Sequence, residues 1–268
     1  MKNSVRDVMR LFLTLLLIVL VTNLSYCQPR ILLDNFYNNE FDMKTGKSYH
    51  YLWDDFEVSG FSELGKLFID RGCVLSLLKE KPNQMNLKGS AVYIIVDTDT
   101  KMETESPNFM DVKSANEIAT WVKKGGVLMI MANDKDNCEL DSLNLLAKKF
   151  GIKFNKDVLH SESPVPKDQP RNFGSCASEI LPNHQLFNNV HKIFIKGIAS
   201  MNCEKPSHAF LIEHGKTLMA ESSYGKGKVI AIGDPWLYNE YIDHWSLPDE
   251  FDNYQAAKNL VSILLNIK

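Results

Sequence analysis

Tyr49, His50 and Tyr51, followed closely by Asp54 and Asp55, place two phenols, an imidazole and two carboxylates in one short stretch. These are the groups of proton transfer. A carboxylate beside an imidazole fixes its tautomer and poises the other nitrogen as a base near neutral pH. The plainer reading, a surface histidine in an aromatic lid, fits the same residues equally well. A second stretch, Tyr224 to Asp243, leaves a short apolar run through Gly233-Asp234-Pro235 and then delivers Trp236, Tyr238, Asn239, Glu240 and Tyr241. Flat rings beside carboxylate and amide groups suit a sugar, which offers an apolar face and a rim of hydroxyls. The competing reading has Trp236 and Tyr238 capping the core and Asp234 fixing an Asp-Pro turn. Among the other histidines, His244 follows this loop and is a secondary candidate. His160, His184, His191, His208 and His214 fall in strand or turn sequence.

Both stretches need a scaffold, and the sequence supplies one. Apolar runs at 31–34, 73–77, 92–96, 127–131 and 229–232 read as buried strands. Between them, Phe61 to Arg71 carries apolar residues at helical spacing, and so does Leu143 to Phe150. Ser114 is placed to cap a helix ending at Gly125-Gly126, with Glu117 in capping-box spacing. Tyr254 to Ile267 is a final amphipathic helix. His208 to Ile212 and Leu218 to Ser222 form a hairpin around His214-Gly215. Residues 161–176 have turn composition and carry Arg171. The alternation predicts an α/β fold with a single doubly wound, mostly parallel sheet and an added β-hairpin region. Four predicted strands end in a carboxylate or amide: Asp34-Asn35, Asp97, Asn133-Asp134 and Asp234. If parallel, they bring these groups to one rim, where open α/β sheets bind ligands. Each of these residues singly is also an ordinary turn former.

Composition narrows the function classes. With 30 basic against 33 acidic residues and a net charge of −3, nothing points to nucleic acid or a polybasic membrane contact. Lys2, Arg6 and Arg10 precede an apolar run from Leu11 to Val21 and a polar end at Cys27. That is the order of a secretory signal, so residues 1–27 are set apart from a domain over 28–268, and the chain is expected to be exported to the periplasm. Cys27 is either the end of a cleaved signal or a lipid-bearing cysteine in a degraded lipobox. Cys73, Cys138, Cys176 and Cys203 show no zinc spacing. Cys176 with Cys203 is the candidate disulfide, and four free buried thiols are the alternative. No nucleophile elbow follows Val127 to Met131, and no Gly-rich phosphate loop or His-x-x-x-His pair occurs. No cofactor is called for, and carboxylate-held Ca²⁺ or Mg²⁺ is left open.

The segments 31–40 (ILLDNFYNNE), 49–55 (YHYLWDD), 92–100 (VYIIVDTDT), 121–137 (WVKKGGVLMIMANDKDN) and 224–241 (YGKGKVIAIGDPWLYNEY) together resemble a domain fused to unsaturated rhamnogalacturonyl hydrolases of Bacteroidetes. As a stand-alone exported chain, the sequence is similar to the oligosaccharide dehydratases of bacterial ulvan degradation. The layout resembles the flavodoxin and class I glutamine amidotransferase-like folds, without the nucleophile. The resemblance implies removal of water from a non-reducing-end glucuronic or iduronic acid, upstream of hydrolases that consume the unsaturated product. That chemistry needs a base for the C5 proton, an acid for the leaving hydroxyl, and donors to neutralise the carboxylate. His50 is the first choice of base, with Tyr49 or Tyr51 as the alternative and Asp54 or Asp55 as its orienting partner. Tyr238 or Glu240 is the expected acid. Arg171, Asn35, Asn133 and Asn239 are expected carboxylate or sulfate partners, Asp134 and Asp234 complete the rim, and Trp236 is expected to stack on the sugar. A non-catalytic uronate-binding module is the alternative.

Overall fold

The computed structural model describes residues 28–42, 44–161, 172–179, 181–242 and 246–266. The signal-like segment with Cys27, Arg171 and His244 lie outside them. Strand β1 (Arg30–Asp34) leads through helix α1 (Ser62–Ile69) to β2 (Val74–Leu78). Strand β3 (Ser90–Val96) leads through α2 (Val112–Lys123) to β4 (Val127–Met131), which is followed by α3 (Leu140–Ala147). The chain then makes a largely antiparallel excursion through β5 (Ile152–Phe154), β6 (Ala177–Ser178), β7 (Ile193–Phe194), β8 (Met201–Cys203), β9 (Ser207–Glu213) and β10 (Lys216–Tyr224). It returns as β11 (Gly227–Ile232), short helix α4 (Asn239–Ile242) and α5 (Asn253–Leu264).

The main sheet runs β2-β1-β3-β4-β11-β10-β8-β5, with β9 also on β10. Every pairing from β2 to β11 is parallel, and those of β10, β9, β8 and β5 are antiparallel. The expected α/β class with a mostly parallel sheet and an added hairpin therefore holds. The apolar runs become central strands because both of their faces are covered. On β3, Val92, Ile94 and Val96 face one core with α1 and α5, while Tyr93 and Ile95 face a second core with α2 and α3. β4 splits likewise, Met129 and Met131 against Leu128 and Ile130. The side-chain period of two thus builds three layers from one sheet.

Two local expectations change. The cap of α2 is Asp111, whose Oδ1 accepts the Ser114 N–H at 2.7 Å. Ser114 is one turn further in and buried, and Glu117 accepts from the Gln84 N–H instead of closing a capping box. An Asp one turn ahead satisfies the open amide and offers its charge to the positive helix end, so the helix starts earlier. Cys176 and Cys203 form no disulfide: all four described cysteines are free thiols, and three of them are buried.

Candidate active site

The four polar strand ends do meet at one rim, because β1, β3, β4 and β11 are adjacent and parallel. There a cavity of about 340 Å³ is lined by Glu40, His50, Tyr51, Asp97, Glu103, Asn133, Asp134, Asn137, Lys196, Gly197, Asp234 and Tyr238. Asp97 is its centre. The Asp97 Oδ2 accepts from the Tyr51 phenol at 2.6 Å and from Asn133 Nδ2 at 2.9 Å, and its Oδ1 is buried without a partner. Asp234 Oδ1 is likewise buried and has no hydrogen-bond partner among the described residues. Burial holds the Asp97 carboxyl well above the usual carboxylate range, with Glu103 and Glu40 adding to the effect. Burial raises Asp234 too, against the opposing pull of Lys196. In both, burial disfavours the charged form of the carboxyl.

The Tyr238 ring lies 5.7 Å from that of Tyr51. Burial first, and then the neighbouring carboxylates, push both phenols well above their ordinary value. Both phenols therefore stay neutral and present an O–H that can donate a hydrogen bond at the cavity. Tyr51 as a base is disfavoured on the same ground.

His50 is brought in by a tight reversal in which it and Tyr51 have φ of 64° and 53°. Its Nδ1 lies 2.8 Å from Glu40 Oε2. An ionised carboxylate only accepts, so Nδ1 carries the proton and the Nε2 lone pair is left to act. The orienting partner is thus Glu40, not Asp54 or Asp55. Asp54 is exposed, and Asp55 spends Oδ1 on the Glu57 N–H at 3.0 Å. Tyr49 stands outside the cavity with them, along an adjoining groove of about 1150 Å³ that His50 and Glu103 also line.

Other expected site residues turn out to be structural. Trp236 is fully buried in the core and has no sugar-facing surface. Asn35 gives its Nδ2 to the Asn38 carbonyl at 2.9 Å, and Asn38 in turn donates to the Asp97 carbonyl. Asn239 is a latch: its Oδ1 accepts from the Glu63 N–H, and its Nδ2 donates to the carbonyls of Asp55 and Glu57. Glu240 Oε2 accepts the Ser59 N–H at 2.8 Å, which leaves it outside the cavity and unsuited as the acid. Asn239 and Glu240 thereby fasten the lid over residues 51–61 to α4. Asp134 lines the cavity while its oxygens hold the Asp136 N–H and the Asn137 amide.

Glu40, Glu103, Asn137, Lys196 and Gly197 received no role from sequence. Lys196 lies in irregular sequence just beyond β7, where no periodicity marks it. Gly197 has φ of 60°, and a Cβ there would stand 3.2 Å from Asp134 Oδ2 and 3.5 Å from Asn133 Oδ1. The glycine keeps that wall of the cavity open.

No protein-family model and no curated protein matches the sequence. Solved structures match the fold. The mmIFT52 N-terminal domain superimposes with a TM-score of 0.60 at 15% identity, covering 88% of this chain and 96% of that one. Cytoplasmic protein STM3548 from Salmonella typhimurium gives 0.55 at 14% identity, over 87% and 98% of the two chains. Cytoplasmic protein STM1381 from Salmonella typhimurium LT2 gives 0.54 at 12%, over 90% and 100%. At these identities the likeness is one of fold alone.

Proposed function

We propose that this chain is an exported oligosaccharide dehydratase, a lyase that removes water from a non-reducing-end glucuronic or iduronic acid. The observation that carries the reading is the pairing, across one small cavity, of an oriented imidazole with neutral buried phenols. His50 Nε2 takes the C5 proton, and Glu40 bears the charge that develops on the ring. The C4–O bond breaks as Tyr238 donates its proton, so the hydroxyl leaves as water and C4=C5 forms. Water then takes the C5 proton from His50 and returns one to Tyr238, so both groups are restored, while Tyr51, donating to Asp97, stands beside Tyr238. Lys196 and Asn133 face the substrate carboxylate, so that charge building beside it at C5 is tolerated.

The parallel order β2-β1-β3-β4-β11 follows the 2-1-3-4-5 pattern of flavodoxin-like sheets, which supports the finer fold reading of an amidotransferase-like layout without a nucleophile. In this reading the protein works in the periplasm, and its unsaturated product feeds the hydrolases that cleave such ends. One observation favours the rival, a binding module: the adjoining groove carries partly exposed Phe41 and Tyr49, which hold a sugar without any base.

The test uses an oligosaccharide ending in saturated glucuronate on sulfated rhamnose. Ultraviolet absorbance of the conjugated uronate, growing with a mass loss of one water, is expected. Calorimetric binding with neither signal would leave the binding module. Neither binding nor reaction would overturn both readings.

A further inference from the structure

Glu40 follows β1, and Asp99 and Glu103 follow β3, so all three sit where the strand order reverses between these neighbours. One oxygen from each lies within 4.8 Å of the other two. Each carboxylate is held from one side by the protein. Glu40 Oε2 takes His50 Nδ1, Asp99 Oδ2 takes the Asn39 N–H at 2.7 Å, and Glu103 Oε2 takes the Thr100 N–H and hydroxyl. In each, the second oxygen has no protein hydrogen bond among the described residues. The held oxygen orients the open one, as outer partners orient metal ligands.

Three acidic side chains alone prove little, but the orphaned atoms around them add an independent observation. Asp99 is 1% exposed, and its Oδ1 is buried with no partner. Asp97, 5% exposed, also leaves Oδ1 unpartnered in the cavity that Glu40 and Glu103 line. Asn39 Oδ1 is a third buried orphan. All three atoms are acceptors, and none is a donor. Such a set is completed either by a bound cation or by protons on the carboxyls. Among the described residues lining the cavity, Lys196 and His50 are the only basic groups, against five carboxylates.

We infer that Glu40, Asp99 and Glu103 form a binding site for one calcium ion beside the cavity. Ca²⁺ takes six to eight oxygen ligands at about 2.3–2.6 Å in flexible geometry, and three carboxylate oxygens within 4.8 Å of one another can share one such ion. Mg²⁺ demands near-ideal octahedral geometry and gives up its waters reluctantly, so it is less often held by a set of protein carboxylates alone. The ion would draw the unsatisfied acceptors to itself and offset the surplus of negative charge. The inference does not depend on the dehydratase reading.

The experiment uses purified, chelator-treated protein titrated with CaCl₂ in a calorimeter. One site is expected, with a Kd on the order of 10⁻⁴ M or tighter, together with a rise in Tm. Terbium, a luminescent stand-in for calcium, should be sensitised by Tyr49, whose phenol is raised by burial and by nearby Glu40. Added calcium should quench that emission by displacement. The double variant Asp99→Asn with Glu103→Gln should weaken binding at least ~10-fold while keeping the far-ultraviolet dichroism of the parent. No heat, no Tm change and no terbium emission at millimolar ion would overturn the site and leave protonated carboxyls as the explanation. Unchanged affinity in the folded double variant would overturn the ligand assignment, and tighter Mg²⁺ than Ca²⁺ would overturn the choice of ion.

Discussion

At the scale of single residues, His50 and Trp236 separate two kinds of importance. His50 is partly exposed and offers a directed lone pair, so His50→Ala should lower the dehydration rate by roughly 10²–10⁴-fold while the far-ultraviolet dichroism stays that of the parent. Glu40→Gln should cost less, because an amide still fills the space but no longer selects the tautomer. Loss of rate in steady-state assays, with folding followed by dichroism, checks both. Trp236→Ala should behave oppositely: about 3–5 kcal/mol of stability lost, as for large buried aromatics, read by denaturant titration. Full stability in that variant would contradict its place in the core. The sequence showed both residues as aromatic-site candidates because residue type says nothing of which face is buried. His50 was legible from its neighbours, whereas its partner Glu40 was not. Glu40 lies ten positions earlier, and only the reversal at His50 and Tyr51 folds it back.

At the scale of elements, the segment over residues 51–61 is held by Asn239 and Glu240 of α4. Gly60 belongs to this latch, since a Cβ there would meet the Asp55 carbonyl and the Asn239 amide. Asn239→Ala leaves three backbone groups without their side-chain partner and should cost roughly 1–3 kcal/mol. Hydrogen exchange should then quicken in residues 51–63 and not in β3 or β4. Uniform quickening throughout would mean that Asn239 supports the global fold and not the lid. Strands β1, β3, β4 and β11 and their polar ends could be read from sequence, because a strand buried on both faces is a continuous apolar run with a sharp end. The excursion from β5 to β10 was only partly legible. Its short strands β6, β7 and β8 are too brief to show a period, and Lys196 rides on that stretch.

At the scale of the whole molecule, the rim collects more buried acid than its surroundings neutralise, and this sets the pH response. Burial pushes Asp34 up to about 6 and Asp99 up to about 8. Both folded values exceed the ordinary carboxyl value, so the folded chain binds more protons, and stability falls as pH rises from about 4 through these values. Glu221 runs the other way. The His184 imidazole 3.9 Å away, with Lys228 adding to it, holds it at about 2, so its contribution is lost as pH falls from about 4.5 towards 2. With a chelator present, Tm should peak at mildly acidic pH and decline steadily towards pH 8.5. A flat profile from pH 5 to 8.5 would contradict the burial of these groups in ionisable form. The sheet order has a consequence of another kind, for the making of the protein. β11 occupies the middle of the sheet between β4 and β10, yet it begins at Gly227, near the end of the chain. Until that segment has emerged, β4 is an open edge of Val, Leu, Met and Ile, the kind of surface that invites pairing with other chains. Such distant pairing makes folding slow. A nascent chain of this design stays unfinished until β11 has been made, and any truncation before Ile232 should yield aggregate in place of a smaller domain.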